Sequence, residues 1–262
     1  MKNKRLTAKD FDPKILELYD HYAHGKMTKR ELLKNIGKYT AAGVTALSVF
    51  NNLMPNYALA EQVNFNDPEI KANYITYNSK NGNGNTNAYY VKPSKITEKT
   101  SAVLVIHENR GLNPYIKDVA RRVAKAGFIA LAPDGLSSLG GYPGNDAEGK
   151  ILQKKIDREK LLNDFFNAFE FLYSHQDTNK KIGAVGFCYG GGVCNALAVA
   201  YPELSASVPF YGSQARSEDV KKIKTPLMLH YAEFDERINK GWPEYEAALK
   251  SNKKKYQAYI YK

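Results

Sequence analysis

Apolar residues follow two rhythms along this chain, and from about residue 72 the two alternate. "NYITYNS" (73–79) and "NAYYVKP" (87–93) switch between polar and apolar positions around "KNGNGNT". The Asn-Gly steps there tolerate positive φ, so the pair predicts an antiparallel edge hairpin. Beyond it, the runs "SAVLVIHE" (101–108), "FIALAPD" (128–134), "KIGAVGF" (181–187), "ASVPFYG" (206–212), "PLMLHYAEFD" (226–235) and "YQAYIY" (256–261) predict strands, several of them apolar enough to be buried on both faces. Between them, "YIKDVARRVAKAG" (115–127), "DREKLLNDFFNAFEFLYSH" (157–175), "GGVCNALAVAYP" (191–202) and "GWPEYEAALKS" (241–251) predict helices. The segment "GLSSLGGYPGNDAEG" (135–149) is expected to be a long loop. Buried strands alternating with helices define an α/β class: a mostly parallel twisted sheet with helices on both faces.

Residues 1–60 keep a different pattern. Lys29-Arg30 precedes Leu32-Leu33, a moderately apolar run from Ile36 to Phe50 and the small-residue stretch Ala58-Leu59-Ala60. That order is similar to a twin-arginine export signal with Lys in the first basic position, which would send the protein to the periplasm. The alternative is a helical extension, because Leu33, Ile36, Gly37 and Thr40 share one helical face; the protein would then be cytoplasmic. The expected division is a 1–60 extension and a 61–262 domain.

Composition narrows the function classes. The formal charge is +11, yet residues 1–60 hold ten Lys/Arg against five Asp/Glu, and the excess elsewhere is spread. No basic run interleaves with aromatics and no zinc-finger spacing occurs, so nucleic acid is not an expected partner. No apolar run approaches the roughly 18 residues of a membrane span. The two cysteines, Cys188 and Cys194, lie six apart on one expected helix and point to different faces, so no disulfide framework is expected, and no metal-type Cys/His cluster is visible.

The chemistry concentrates in "GFCYGGG". Cys188 falls between a buried strand and a helix in the pattern Gly186-x-Cys188-x-Gly190-Gly191, the spacing of a nucleophile elbow, where the turn is so sharp that side chains two before and two after would collide. A helix N-terminus beneath the thiol favours thiolate. Asp235 ends a buried strand downstream, where a triad acid belongs in this order, and His107 and Glu108 close an earlier strand at the carboxyl end of the sheet, where such folds bind ligands.

With "HENRGLNPYIKDVARRVAKAGFIALAPD", "GFCYGGG" and "HYAEFDERI" in place, the chain from about residue 74 onward resembles the dienelactone hydrolase family of the α/β-hydrolase fold. The resemblance implies a Cys-His-Asp triad hydrolysing small esters or lactones without a cofactor. It places the nucleophile on Cys188, the acid on Asp235 and a thiol-proximal carboxylate on Glu108. The oxyanion donors would be the backbone N–H groups of Tyr189 and Asn109. The family's histidine follows the acid, in a loop after the last strand, and the five histidines here (21, 24, 107, 175, 230) all precede Asp235. The chain is therefore expected to stop before the catalytic histidine and the last covering helix, and its turnover is expected to be impaired. His230 and His107, both near strand ends, are the candidate substitute bases. Arg110 and Arg237 are candidate substrate contacts, since the family's arginine in the loop after "APD" has no counterpart. The alternative function is a non-catalytic or vestigial hydrolase-fold protein that binds small molecules. Oligomeric state is not legible.

Overall fold

The computed structural model describes residues 10–23, 26–40, 45–54 and 61–262, and it divides into two compact units, 1–60 and 61–262. In the first unit α1 (Pro13–Ala23), α2 (Lys29–Ile36) and α3 (Ala46–Leu53) bury Ile15, Leu18, Leu32, Ile36, Val49 and Phe50 together. α2 is closed by a capping box: the Thr28 hydroxyl accepts from the Glu31 N–H while the Glu31 carboxylate accepts from the Thr28 N–H at 2.8 Å. Lys29-Arg30 thus opens a capped helix whose Leu32 and Ile36 are core residues. The Ala58-Leu59-Ala60 stretch lies outside the described residues.

The second unit is built on an eight-stranded sheet in the order β1-β2-β4-β3-β5-β6-β7-β8. The expected hairpin is there: β1 (Ile70–Ser79) and β2 (Gly84–Pro93) pair antiparallel from Ile70↔Pro93 to Ser79↔Gly84. Its turn is pinned by the buried Asp164 carboxylate, which accepts from the Asn83 backbone at 2.8 Å and from its amide at 2.6 Å; a side chain at Gly82 would strike that carboxylate. β2 runs antiparallel to β4 (Ile129–Pro133). The pairs of β3 (Thr100–Ile106) with β4 and with β5 (Thr178–Phe187), then β5–β6 (Ala206–Phe210), β6–β7 (Leu227–Ala232) and β7–β8 (Tyr256–Tyr261), are all parallel.

Successive residues of the central strands serve opposite faces. Ala102, Leu104 and Ile106 join Phe165, Leu172, Leu197 and Leu249 beneath α6 (Arg158–Ser174), α7 (Tyr189–Ala200) and α9 (Trp242–Ser251). Val103 and Val105 turn to Ile116, Val119 and Ala120 of α4 (Pro114–Lys125). The sequence expectation differs from the structure at 135–149: the last residues of that stretch begin a helix, α5 (Asp146–Gln153), which Asn145 caps by accepting from the Glu148 N–H. The Asn-Asp-x-Glu start is an ordinary helix signal, outweighed in the sequence by four preceding glycines. A further short helix, α8 (Glu236–Asn239), follows β7. No described helix is long and apolar enough to cross a membrane.

One buried carboxylate ties the domain's first residues to α4. Asp118 accepts from the Gln62 and Val63 N–H groups at 3.0 and 2.9 Å and sits 3.5 Å from the Arg121 guanidinium, itself nearly buried. Asp118→Ala removes the acceptor of the Gln62 and Val63 N–H groups and leaves Arg121 with the Glu61 carboxylate at 3.1 Å, so it should cost about 2–3 kcal/mol in urea unfolding.

Candidate active site

Cys188 occupies the one-residue corner between β5 and α7, with φ 53° and ψ −111°. A non-glycine residue is held there only when its surroundings over-determine it. Cys188 donates its N–H to the Phe210 carbonyl at 3.0 Å and accepts from the Gly192 N–H at 3.2 Å. The glycines supply clearance. A Cβ on Gly186 would overlap the Gly190 carbonyl, and one on Gly190 would overlap the carbonyl of Ile106 in β3. β3, β5 and the first turn of α7 approach so closely that neither position accepts a side chain. The elbow geometry expected from the sequence is therefore present, and the Cys188 side chain is partly exposed at the carboxyl end of the sheet, while Cys194 is buried, its thiol pushed well up by burial.

Glu108 follows β3 at the same end. The Tyr211 hydroxyl donates to its Oε1 at 3.2 Å, and Arg110 Nε lies 3.7 Å from its Oε2. Tyr211 comes directly after β6 with φ 38°, and burial, then the charges of Glu108 and Cys188, keep its phenol protonated well above the ordinary range. Arg110 reaches on to Asp146 at 3.0 Å, and Asp146 accepts a second bond from the Tyr142 hydroxyl at 2.9 Å. The loop bearing Tyr142 is wound around buried Asp134, which accepts from the N–H groups of Leu136 and Tyr142 at 3.0 and 2.9 Å. A chain of charges closed at both ends by hydroxyls thus runs Tyr211–Glu108–Arg110–Asp146–Tyr142.

Helix α5 closes on this chain through Gly149, where a Cβ would collide with the Arg110 carbonyl. Asp146, Gly149 and Lys150 share that face by helical spacing. Burial, the Lys154 ammonium and the Arg110 guanidinium bring the Lys150 amine down to about 8, against a smaller upward pull from Cys188.

The remaining expected residues are placed as follows. The Tyr189 N–H is the first of α7 and has no partner within the helix; Asn109 follows Glu108, and its Oδ1 is buried without a hydrogen bond among the described residues. Asp235 lies after β7 and caps α8, accepting from the Ile238 N–H at 3.2 Å, with Arg237 at 3.7 Å. No described histidine contacts Asp235. His107 is completely buried: its Nδ1–H donates to the Glu108 carbonyl at 2.6 Å, its Nε2 accepts from the Gly135 N–H at 3.0 Å, and burial holds it neutral. Both nitrogens are engaged, so the imidazole fixes backbone and has no lone pair to offer a thiol. His230 stacks on Phe210 with centroids 4.1 Å apart and puts Nδ1 against the Tyr261 hydroxyl at 2.8 Å. Arg110 serves the carboxylates Glu108 and Asp146. Tyr211, Asp146, Tyr142 and Lys150 escape a reading of the sequence alone. The first ends a strand at the sheet's carboxyl edge, the one signal that marks it.

The sheet order, the elbow after β5 and the helices on both faces define an α/β hydrolase fold. The model of the dienelactone hydrolase family matches residues 86–262, and the chain belongs to that family. A protein of Bradyrhizobium described as a "Probable 2-oxo-3-(5-oxofuran-2-ylidene)propanoate lactonase" is 31% identical over 195 residues, 69% of this chain and 78% of its own. The "Putative hydrolase fragment YghX" of Escherichia coli is 68% identical over 114 residues, 44% of this chain and 97% of its own. Among solved structures, a dienelactone hydrolase, so assigned provisionally, from Klebsiella pneumoniae superposes with a TM-score of 0.63 at 22% identity, covering 74% of this chain and 85% of that one. Residues 2–38 match a separate YqhI-like family model.

Gly190→Ala pushes a methyl into two backbone carbonyls, whereas Gly192→Ala meets chiefly the movable Ser213 hydroxyl. In denaturant titrations the first should lose about 2–3 kcal/mol, and the second should stay within about 1 kcal/mol of the parent.

Proposed function

We propose that the protein hydrolyses small esters or lactones through Cys188 as nucleophile. The observation that supports this most strongly is the backbone of Cys188 itself: a positive φ on a cysteine, kept by glycines whose every alternative would clash. Strain of this kind costs about 1–3 kcal/mol and clusters at functional sites. In this reading the thiolate attacks the acyl carbon, the Tyr189 and Asn109 N–H groups take the developing oxyanion, and the alcohol or enolate leaves. Glu108, held by Tyr211 and Arg110, takes the part of the thiol-proximal carboxylate. Asp235 stands at the strand end suited to a triad acid.

Deacylation sets the limit on rate. His107 and His230 are engaged elsewhere, and a positioned base is worth about 10²–10⁴ in rate. The same observation favours the second reading, a small-molecule-binding protein of hydrolase fold with a reactive thiol and little turnover. For residues 1–60 we favour the helical extension over an export signal, because the basic pair lies in a capped helix with a core of its own and the YqhI-like match covers it.

p-Nitrophenyl acetate should release about one equivalent of nitrophenolate in a burst, leaving an acetyl group on the Cys188 peptide by mass spectrometry, followed by slow turnover. Cys188→Ala should abolish burst and adduct. Acetylation elsewhere with Cys188 untouched would overturn the nucleophile assignment. A burst with no measurable turnover would favour the binding reading.

A further inference from the structure

At the two ends of the strand order, β1 and β8 each leave one edge open among the described residues, and the two edges are finished differently. β1 carries Lys71, and the Lys117 ammonium bonds its Tyr74 hydroxyl at 3.1 Å. β8 reads YQAYIY, with no charge and no proline, and it pairs with β7 in unbroken register from Leu227↔Tyr256 to Ala232↔Tyr261, with no bulge. It therefore lacks the devices that keep a sheet edge from pairing. Gln257 through Tyr261 are exposed, Ile260 and Tyr261 more than half so.

The backbone of this edge is also placed to pair. The Lys255 carbonyl accepts from the Leu227 N–H at 3.0 Å, and the Tyr261 carbonyl from the Glu233 N–H at 2.8 Å. Odd-numbered residues thus bond β7, and by the two-residue repeat Tyr256, Ala258 and Ile260 turn their N–H and C=O groups away from the sheet. The two ends of the strand differ in charge. Lys253 and Lys255 precede it, while Glu233 lies beside its far end with Glu236 three residues on; all four are exposed and none forms an ion pair among the described residues.

We propose that β8 is a homodimer interface, two copies joining antiparallel along this edge about a two-fold axis through Ala258. Ala258 then faces itself and Tyr256 faces the partner copy's Ile260, and each hydrogen-bonded position exchanges a pair of main-chain bonds. Phe187, Phe210, His230 and Tyr259 stack across β5 to β8 with centroids 5.1, 4.1 and 5.4 Å apart. The two copies of Tyr259 fall on a cross-strand diagonal, so the stack runs on into the second sheet. Lys255 falls opposite Tyr261 of the other copy, two strand spacings or about 10 Å from its Glu233, which the two side chains together span. Lys254 and Lys262 face each other past the paired residues, and Lys254 is already bonded to the Lys221 carbonyl at 2.8 Å. A strand from another protein would find the same backbone groups without the matched charge, so the occupant is a second copy. The contact is isologous and closes at two. It stands apart from the chemistry of Cys188.

Sedimentation equilibrium of the full chain should give twice the monomer mass at tens of micromolar, with dissociation on dilution. Ala258→Pro removes the N–H at the axis and no bond to β7, so that variant should be monomeric over the same range. Lys255→Glu and Glu233→Lys should each weaken the dimer about three- to tenfold, and the two together should return it to within about twofold of the parent. A monomer at every concentration overturns the proposal and leaves the edge to a strand of another protein. A proline variant that dimerises like the parent, or a double charge variant weaker than either single one, overturns it too. Should the proline variant lose its cooperative urea transition, the charge variants, which change only exposed side chains, decide. Hydrogen exchange of the unmodified protein separates this edge from dimerisation elsewhere: the 256–261 amides should exchange more slowly in concentrated than in dilute solution, and a dimer in which they do not contradicts the assignment. Particles larger than two copies would contradict a closed pair.

Discussion

The turn at Cys188 is the constraint on which the rest depends. A parallel strand must stop, reverse into a helix within one residue, and leave that residue's side chain pointing out of the sheet. The geometry is possible only because β3 and β6 crowd the corner from either side: the Ile106 carbonyl fills the space beside Gly190, and the Phe210 carbonyl holds the Cys188 N–H. The strained backbone is therefore stabilised by the sheet, whose two buried faces in turn require the helices that cover them. Core and site are one problem in packing.

Electrostatics adds the second layer. Loops after the parallel strands converge at one end of the sheet, so Glu108 after β3 and Tyr211 after β6 meet although they lie 103 residues apart in the chain. The charges do not pair off simply. Arg110 binds two carboxylates and Glu108 accepts from a phenol held firmly protonated, so these groups form one connected network rather than isolated pairs.

The hairpin, the central strands and the elbow were legible in the sequence because each rests on local signals: alternation, uninterrupted apolar runs, Asn-Gly steps and glycines at fixed offsets. Helix α5 was not. Its Asn145 cap is a local signal, but the glycines before it weigh toward loop, and only tertiary packing of Gly149 on the Arg110 carbonyl shows why the helix is there. Tyr211 and Asp146 join Glu108 and Arg110 through contacts across the fold, which a single sequence does not display. His107 shows the converse: its place at a strand end fits a catalytic base, yet just past the end of β3 its ring leaves the strand's alternation and packs on Phe165, where burial and two hydrogen bonds engage it.

At position 188 the protein keeps a cysteine where its backbone, at φ 53°, would prefer glycine. Comparing the unfolding free energies of Cys188→Gly and Cys188→Ala tests it without reference to any substrate. Glycine ordinarily costs about 0.5–1 kcal/mol relative to alanine, but at φ 53° the order should invert, with the glycine variant the more stable by about 1 kcal/mol. An alanine variant as stable as the glycine one, or more so, would show that no strain is stored at Cys188 and would contradict the account.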